Sequence, residues 1–103
     1  YPDFIFPCAR AVASDPLSRG IILGGSGQGE AMAANRVKGV RAAVFYNGPI
    51  DIIKLSREHN NANVLSIGAR FMSEDKIRSV LDVWFNEPFG GGRHQRRIDK
   101  LDL

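Results

Sequence analysis

Four glycines fall within Gly24-Gly25-Ser26-Gly27-Gln28-Gly29, and a carboxylate, Glu30, follows at once. Glycine lets backbone amides approach a ligand closely and lets the chain enter positive φ. A helix opening directly behind such a loop adds free N–H groups and the positive end of its dipole, which suits an anion or a developing oxyanion. Glu30 then has two readings. It is either a charge that favours a helix start or a general base aimed at whatever the amides hold. The second reading suits removal of a proton beside a carbonyl while the enolate oxygen is held in place. Ser26, between two glycines, is either a turn residue or a hydroxyl donor to that oxygen. The dinucleotide fingerprint would need glycine at 25, 27 and 30, and position 30 is glutamate; the Gly-Lys-Ser/Thr of a P-loop is also missing.

A second polar cluster, Ser56-Arg57-Glu58-His59-Asn60-Asn61, closes a helical stretch before an apolar one. His59 with Asn60 is either a helix cap or a catalytic imidazole beside an amide donor at the rim of the sheet. Arg70 follows the next apolar run and is expected to reach that same rim. Arg93 and Arg97, four apart, would share a helical face and could clamp a phosphate, although a single arginine is more often a solvated surface charge. The single cysteine, Cys8, allows no internal disulfide and no paired-thiol metal site, and it is compatible with a reducing compartment.

The elements that must position these groups alternate. Phe4 to Ala13 is helix-permissive, with Phe4, Cys8 and Val12 four apart and Asp15-Pro16 as a stop. Gly20 to Leu23 is a short buried strand, then come the glycine loop and a helix over Glu30 to Arg36. Val40 to Phe45 is a second strand, and Pro49 to His59 a helix with Ile50, Ile53 and Ile52 as inward candidates. Asn63 to Ile67 is a third strand closing on Gly68. Ser73 caps a helix with the inward stripe Ile77, Val80, Leu81 and Trp84, ending near Asn86. A Pro/Gly connector, Glu87 to Gly92, leads to a short basic helix over His94 to Leu103. Alternation of this kind predicts an α/β fold, a Rossmann-like open parallel sheet with helices on both faces. Three strands are few for such a sheet, so either a partner subunit supplies cover or the amino-terminal part of the domain is truncated.

The chain has 103 residues, 44% apolar and 24% charged, the size and composition of one globular domain over residues 1–103. No apolar run approaches the roughly 20 residues that cross a bilayer, and Tyr1-Pro2-Asp3-Phe4 lacks the start of a signal peptide, so no membrane partner and a cytoplasmic location are expected. The net charge of +3 is mild. Arg93, Arg96, Arg97 and Lys100 concentrate charge near the carboxyl end, which fits an anionic ligand. No aromatic residue is interleaved among them, so single-stranded nucleic acid is not the expected partner.

Taken together, Tyr1-Pro2, Gly20-Ile21-Ile22-Leu23-Gly24-Gly25-Ser26-Gly27-Gln28-Gly29-Glu30, Ala33-Ala34-Asn35-Arg36-Val37, Leu55 to Val64, Ile67-Gly68-Ala69-Arg70 and Gly92 to Arg97 resemble the ribose-5-phosphate isomerase type B family, which includes the galactose-6-phosphate isomerase subunits. The stretches follow the family's order over nearly the whole chain. The resemblance implies aldose–ketose isomerisation of a phosphorylated sugar through an enediolate, with no metal and no organic cofactor; ribose 5-phosphate to ribulose 5-phosphate is the expected reaction. The alternatives are a hexose-phosphate isomerase of the galactose or allose 6-phosphate type and a non-catalytic phosphosugar-binding subunit. Some members use a cysteine opening the glycine loop as base, where this chain has Gly24; others carry a glutamate where this chain has Glu30. By the same likeness Glu30 would move the C2 proton to C1, His59 would open the sugar ring, and Ser26 would shuttle a hydroxyl proton. Asn60 with the amides around Gly25, Ser26 and Gly29 would hold the enediolate oxygens, and Arg70, Arg93 and Arg97 the phosphate. Cys8 would not be the catalytic thiol. The likeness further implies a homodimer or homotetramer with shared active sites, for which Trp84, Phe85 and Phe89 could supply contact surface, and an amino-terminal Asp-His-Ala-Gly-like segment of which nothing precedes Tyr1.

Overall fold

Helix α1 (Pro2–Ser14) begins with proline in its first turn, where the missing N–H costs nothing, and the Tyr1 carbonyl accepts from Phe4 and Ile5 at 3.0 and 3.2 Å. Pro7 lies inside it without ending it. Its buried stripe is Ile5, Ala9 and Val12 rather than the expected Phe4, Cys8 and Val12; Phe4 is 84% exposed. The elements after it are β1 (Gly20–Gly24), α2 (Gln28–Ala34), β2 (Ala42–Phe45), α3 (Asp51–Glu58), β3 (Val64–Gly68), a 3₁₀ turn (Ala69–Phe71), α4 (Glu74–Asn86) and α5 (Arg93–Ile98). The structure, a computed structural model, describes residues 1–102; the last residue of the helix expected over His94 to Leu103 lies outside them, and α5 stops at Ile98.

The strands form one parallel sheet in the order β1-β3-β2, with Gly20 opposite Val64, Gly24 opposite Gly68, and Ala42 again opposite Val64. The chain therefore crosses over β3 in going from β1 to β2, and β3 sits in the middle with every residue buried. Alternation along the strands divides the core between the two faces. Ile22 and Val64 pack with Ile5, Ala9 and Val12 of α1 and Ala33 and Ala34 of α2. Phe45, Leu65 and Ile67 pack on the other face with Ile53 of α3 and Val80 and Trp84 of α4. This is the expected open sheet covered on both faces.

Boundaries differ where side chains close the backbone. Helix α2 starts two residues earlier than Glu30, because Gly27 adopts φ +76 and turns the chain into it. It ends at Ala34, since the Asn35 side chain leaves to pair with β2, its Nδ2 donating to the Ala42 carbonyl at 3.0 Å and its Oδ1 accepting from the Ala42 N–H at 2.8 Å. Strand β2 starts at Ala42 rather than Val40, because the Arg41 N–H is drawn to Asn63 Oδ1 at 2.7 Å. In α3, Ile53 is buried but Ile52 faces out at 46% exposure, correcting its inward assignment. The Ser73 hydroxyl accepts from the Lys76 N–H at 3.1 Å and caps α4, which ends at Asn86 as the stripe predicts. Trp84 is fully buried in the core, whereas Phe85 is 49% exposed.

Candidate active site

The glycine loop is fixed by β3. The Ser66 hydroxyl donates to the Gly27 carbonyl at 2.6 Å, and a Cβ at Gly68 would meet the Ser26 carbonyl oxygen at 2.5 Å, so the loop backbone rests directly on that glycine. Ser26 Oγ accepts from the Gln28 N–H at 3.2 Å. This is the turn contact, and it leaves the hydroxyl proton of Ser26 uncommitted among the described hydrogen bonds.

Two side chains lean back over this loop. A Cβ on Gly24 would fall on the carboxylate of Glu30, so Glu30 folds from the first turn of α2 over the end of β1. A Cβ on Gly25 would lie 2.7 Å from a guanidinium nitrogen of Arg70, whose own N–H donates to the Gly25 carbonyl at 3.1 Å. Carboxylate and guanidinium thus cover adjacent glycines, and among the described residues neither is engaged in an ion pair within the chain. The Tyr1 hydroxyl crowds Gly29, 2.7 Å from where its Cβ would stand. Glu30, Ser26, Gly25, Gly29 and Arg70 therefore gather at the carboxyl ends of β1 and β3, the end where open α/β sheets hold ligands.

His59 and Asn60 do not join them. A helix that runs between parallel strands returns to the strands' amino ends, so the close of α3 lies at the far edge of the sheet. There Asn63 accepts from the Gly20 N–H at 2.8 Å, and Asn60 lines a cavity of about 450 Å³ with Arg41, Ala42, Ala62 and Leu101, none of them from the glycine loop. Strand β3 spans five residues between the two edges, roughly 13 Å at strand rise. The expectation that His59 shares the rim of Glu30 is corrected for a single chain.

Arg93 and Arg97 belong to this second group. The Gly90 N–H donates to the Glu58 carbonyl at 2.9 Å, Gly91 and Gly92 take φ of +66 and +59, and α5 is thereby laid against the end of α3. Both arginines are exposed on α5. Between them in sequence stands His94, which sequence reasoning missed as a site residue; its ring lies 4.3 Å from that of His59, nearly parallel at 15°. The available signal was its place in Gly92 to Arg97 and the fact that the chain has only two histidines. Among the described residues no three His, Cys, Asp or Glu side chains group as a metal would need, and no helix is long and apolar enough to cross a membrane.

A Rossmann-like sheet with a carboxylate and an arginine over a glycine loop defines an open α/β protein whose candidate site lies at the carboxyl ends of its strands, where such sheets hold ligands. Residues 1–101 match the Ribose/Galactose Isomerase family, and the chain belongs to it. It is 41% identical over 101 residues to a putative sugar phosphate isomerase, YwlF, of Bacillus subtilis, and 42% identical over 102 residues to ribose-5-phosphate isomerase B of Mycolicibacterium paratuberculosis. Each match takes in 98% of this chain but 66% and 63% of the relative, so the chain spans under two thirds of their length. Ribose-5-phosphate isomerase B of Clostridium thermocellum superposes with a TM-score of 0.92 at 43% identity, over 99% of this chain and 68% of that one. The Mycoplasma genitalium enzyme with bound ribulose-5-phosphate gives 0.91 at 43% identity, over 98% of this chain and 66% of that one.

Proposed function

We propose that the protein carrying this chain interconverts ribose 5-phosphate and ribulose 5-phosphate by proton transfer through an enediolate. The carrying observation is the Glu30 carboxylate, folded over Gly24 beside the backbone of the Gly25 to Gly29 loop, with the Arg70 guanidinium over the neighbouring glycine. Glu30 takes the proton from C2 of the open-chain aldose. The C2–H electron pair forms the C1–C2 double bond, and the C1 carbonyl oxygen becomes the enediolate oxygen held by the amides of Gly25, Ser26 and Gly29. Protonation of C1 by Glu30, with the O2 proton passed through the Ser26 hydroxyl to O1, completes the ketose. No redox equivalent enters or leaves, so the step needs no cofactor. His59 opens the furanose by protonating its ring oxygen as the O1 proton departs, Asn60 supports an enediolate oxygen, and Arg70, Arg93 and Arg97 neutralise the phosphate.

The two residue groups lie at opposite edges of the sheet, so the complete site forms when the His59 edge of one copy faces the Glu30 edge of a second. A homodimer with shared sites is the smallest assembly that does this.

Glu30→Gln tests the assignment. Exchange of the C2 proton with solvent deuterium should fall by about 10²- to 10⁴-fold, while affinity for the phosphate ester, measured by calorimetry, stays near wild type. Undiminished exchange in the variant places the base elsewhere.

A further inference from the structure

Neither imidazole of the His59–His94 pair makes a side-chain hydrogen bond within the chain among the described residues. Glu58 Oε1 lies 3.9 Å from His59 Nε2, beyond hydrogen-bond distance. The His59 backbone is fixed, its N–H donating to the Leu55 carbonyl at 3.0 Å, but that leaves the ring free to rotate about its side-chain torsions. What defines the ring plane is the His94 face, 4.3 Å away and 15° from parallel. Contact through the π face orients an imidazole while leaving both of its nitrogens available for proton transfer, which an orienting hydrogen bond would not.

We propose that His94 is a positioning residue: its ring, carried on α5 and stacked on His59, sets the plane in which His59 meets the sugar. The proposal rests on the reading of His59 as the ring-opening group. Parallel stacking of two imidazoles requires that at most one be charged, because like charges at this separation repel. The surroundings disfavour a charge on His94. Its pKa lies below the ordinary histidine value through partial burial, then through the charges of His59, Arg93 and Arg97, with Glu58 opposing. A depressed pKa means that His94 binds its proton only at lower pH than a free histidine.

The test uses two substitutions of one residue in the protein as it exists. His94→Ala removes the platform; His94→Phe keeps a flat ring without nitrogens. With two histidines in the chain, the His59 ring protons are assigned without ambiguity by NMR. His94→Ala should erase the ring-current shift on the His59 protons and lower kcat by about 10- to 100-fold, with KM for ribose 5-phosphate close to wild type. His94→Phe should restore both the shift and most of kcat. Equal loss of kcat in the two variants, a rise in KM as the main effect, or no change in either variant overturns the positioning role. The NMR shift is read without substrate, so a wild-type protein that shows the stack but turns over no sugar phosphate sinks the isomerase reading, and a wild type that turns over without the shift sinks the stack.

Discussion

Glu30 and Gly24 compete for one volume. The carboxylate occupies the space that a Cβ at position 24 would fill, so any side chain there displaces it from the loop. Glycine at 24 is thus the condition for the observed Glu30 position, and for the proposed role of Glu30 as base. The backbone at Gly24 does not use the left-handed region, so alanine is conformationally permitted there. Gly24→Ala should therefore leave the melting temperature nearly unchanged while lowering isomerisation by about 10- to 100-fold, the usual cost of misplacing a reacting group by an ångström or so. Wild-type turnover in that variant would show that the observed carboxylate position is not the working one. The residue types at 24 and 30 were legible in the sequence. Their mutual exclusion was not, because it depends on the side chain folding back six positions along the chain onto the strand end.

At the scale of elements, the joint between loop and sheet decides whether Glu30 is aimed at all. Gly27 stands at φ +76, and a Cβ there would lie 3.1 Å from Gly68 N, the Ile67 carbonyl carbon and Ser66 Oγ, all on β3. An L side chain in this backbone region costs about 1–2 kcal/mol before crowding is counted, and here the neighbouring atoms are mostly backbone and cannot retreat. Gly27→Ala should lower the unfolding free energy by at least about 1–2 kcal/mol in a denaturant titration; an unchanged midpoint would mean that the loop is not bound to β3 as described. The order of strands and helices was legible because glycine and proline punctuate short apolar runs, and Ser73 with its stripe fixed α4 well. The stripe of α1 was misplaced by one residue at its first two positions because Phe4 and Cys8 are apolar enough to mimic a core face. Nothing in the local pattern reveals that Ile5 and Ala9 are the residues turned toward Ile22 and Val64. The ends of α2 and β2 were obscured for a different reason: Asn35 and Asn63 replace backbone partners with side-chain amides, and periodicity does not register that.

On the scale of the whole molecule, the proposed function needs residues at opposite edges of one sheet to meet at one site. The sequence singled out Glu30 and Arg70, which the fold places in one group, and His59, Asn60, Arg93 and Arg97, which it places in another, but proximity along the chain hid the topology. His59 precedes β3 and Arg70 follows it, so only five residues of strand lie between these segments, yet that strand carries the chain from one edge to the other. The proposed second copy would bring the two groups together, and it makes a prediction independent of any single residue's role. In a dimer with shared sites, one site draws Glu30 from the first subunit and His59 from the second, and the other site does the reverse. Glu30→Gln and His59→Asn proteins, each nearly inactive alone, should regain activity when unfolded together and refolded in equal amounts. Random pairing makes half of the dimers mixed, and each mixed dimer has one site with both lesions and one with none, so about a quarter of wild-type activity should return. Size-exclusion chromatography with light scattering on the same mixture reports whether dimers have formed. Dimers that recover no activity above the sum of the separate variants would mean that each site is built within one subunit, which the roughly 13 Å length of β3 would then have to accommodate.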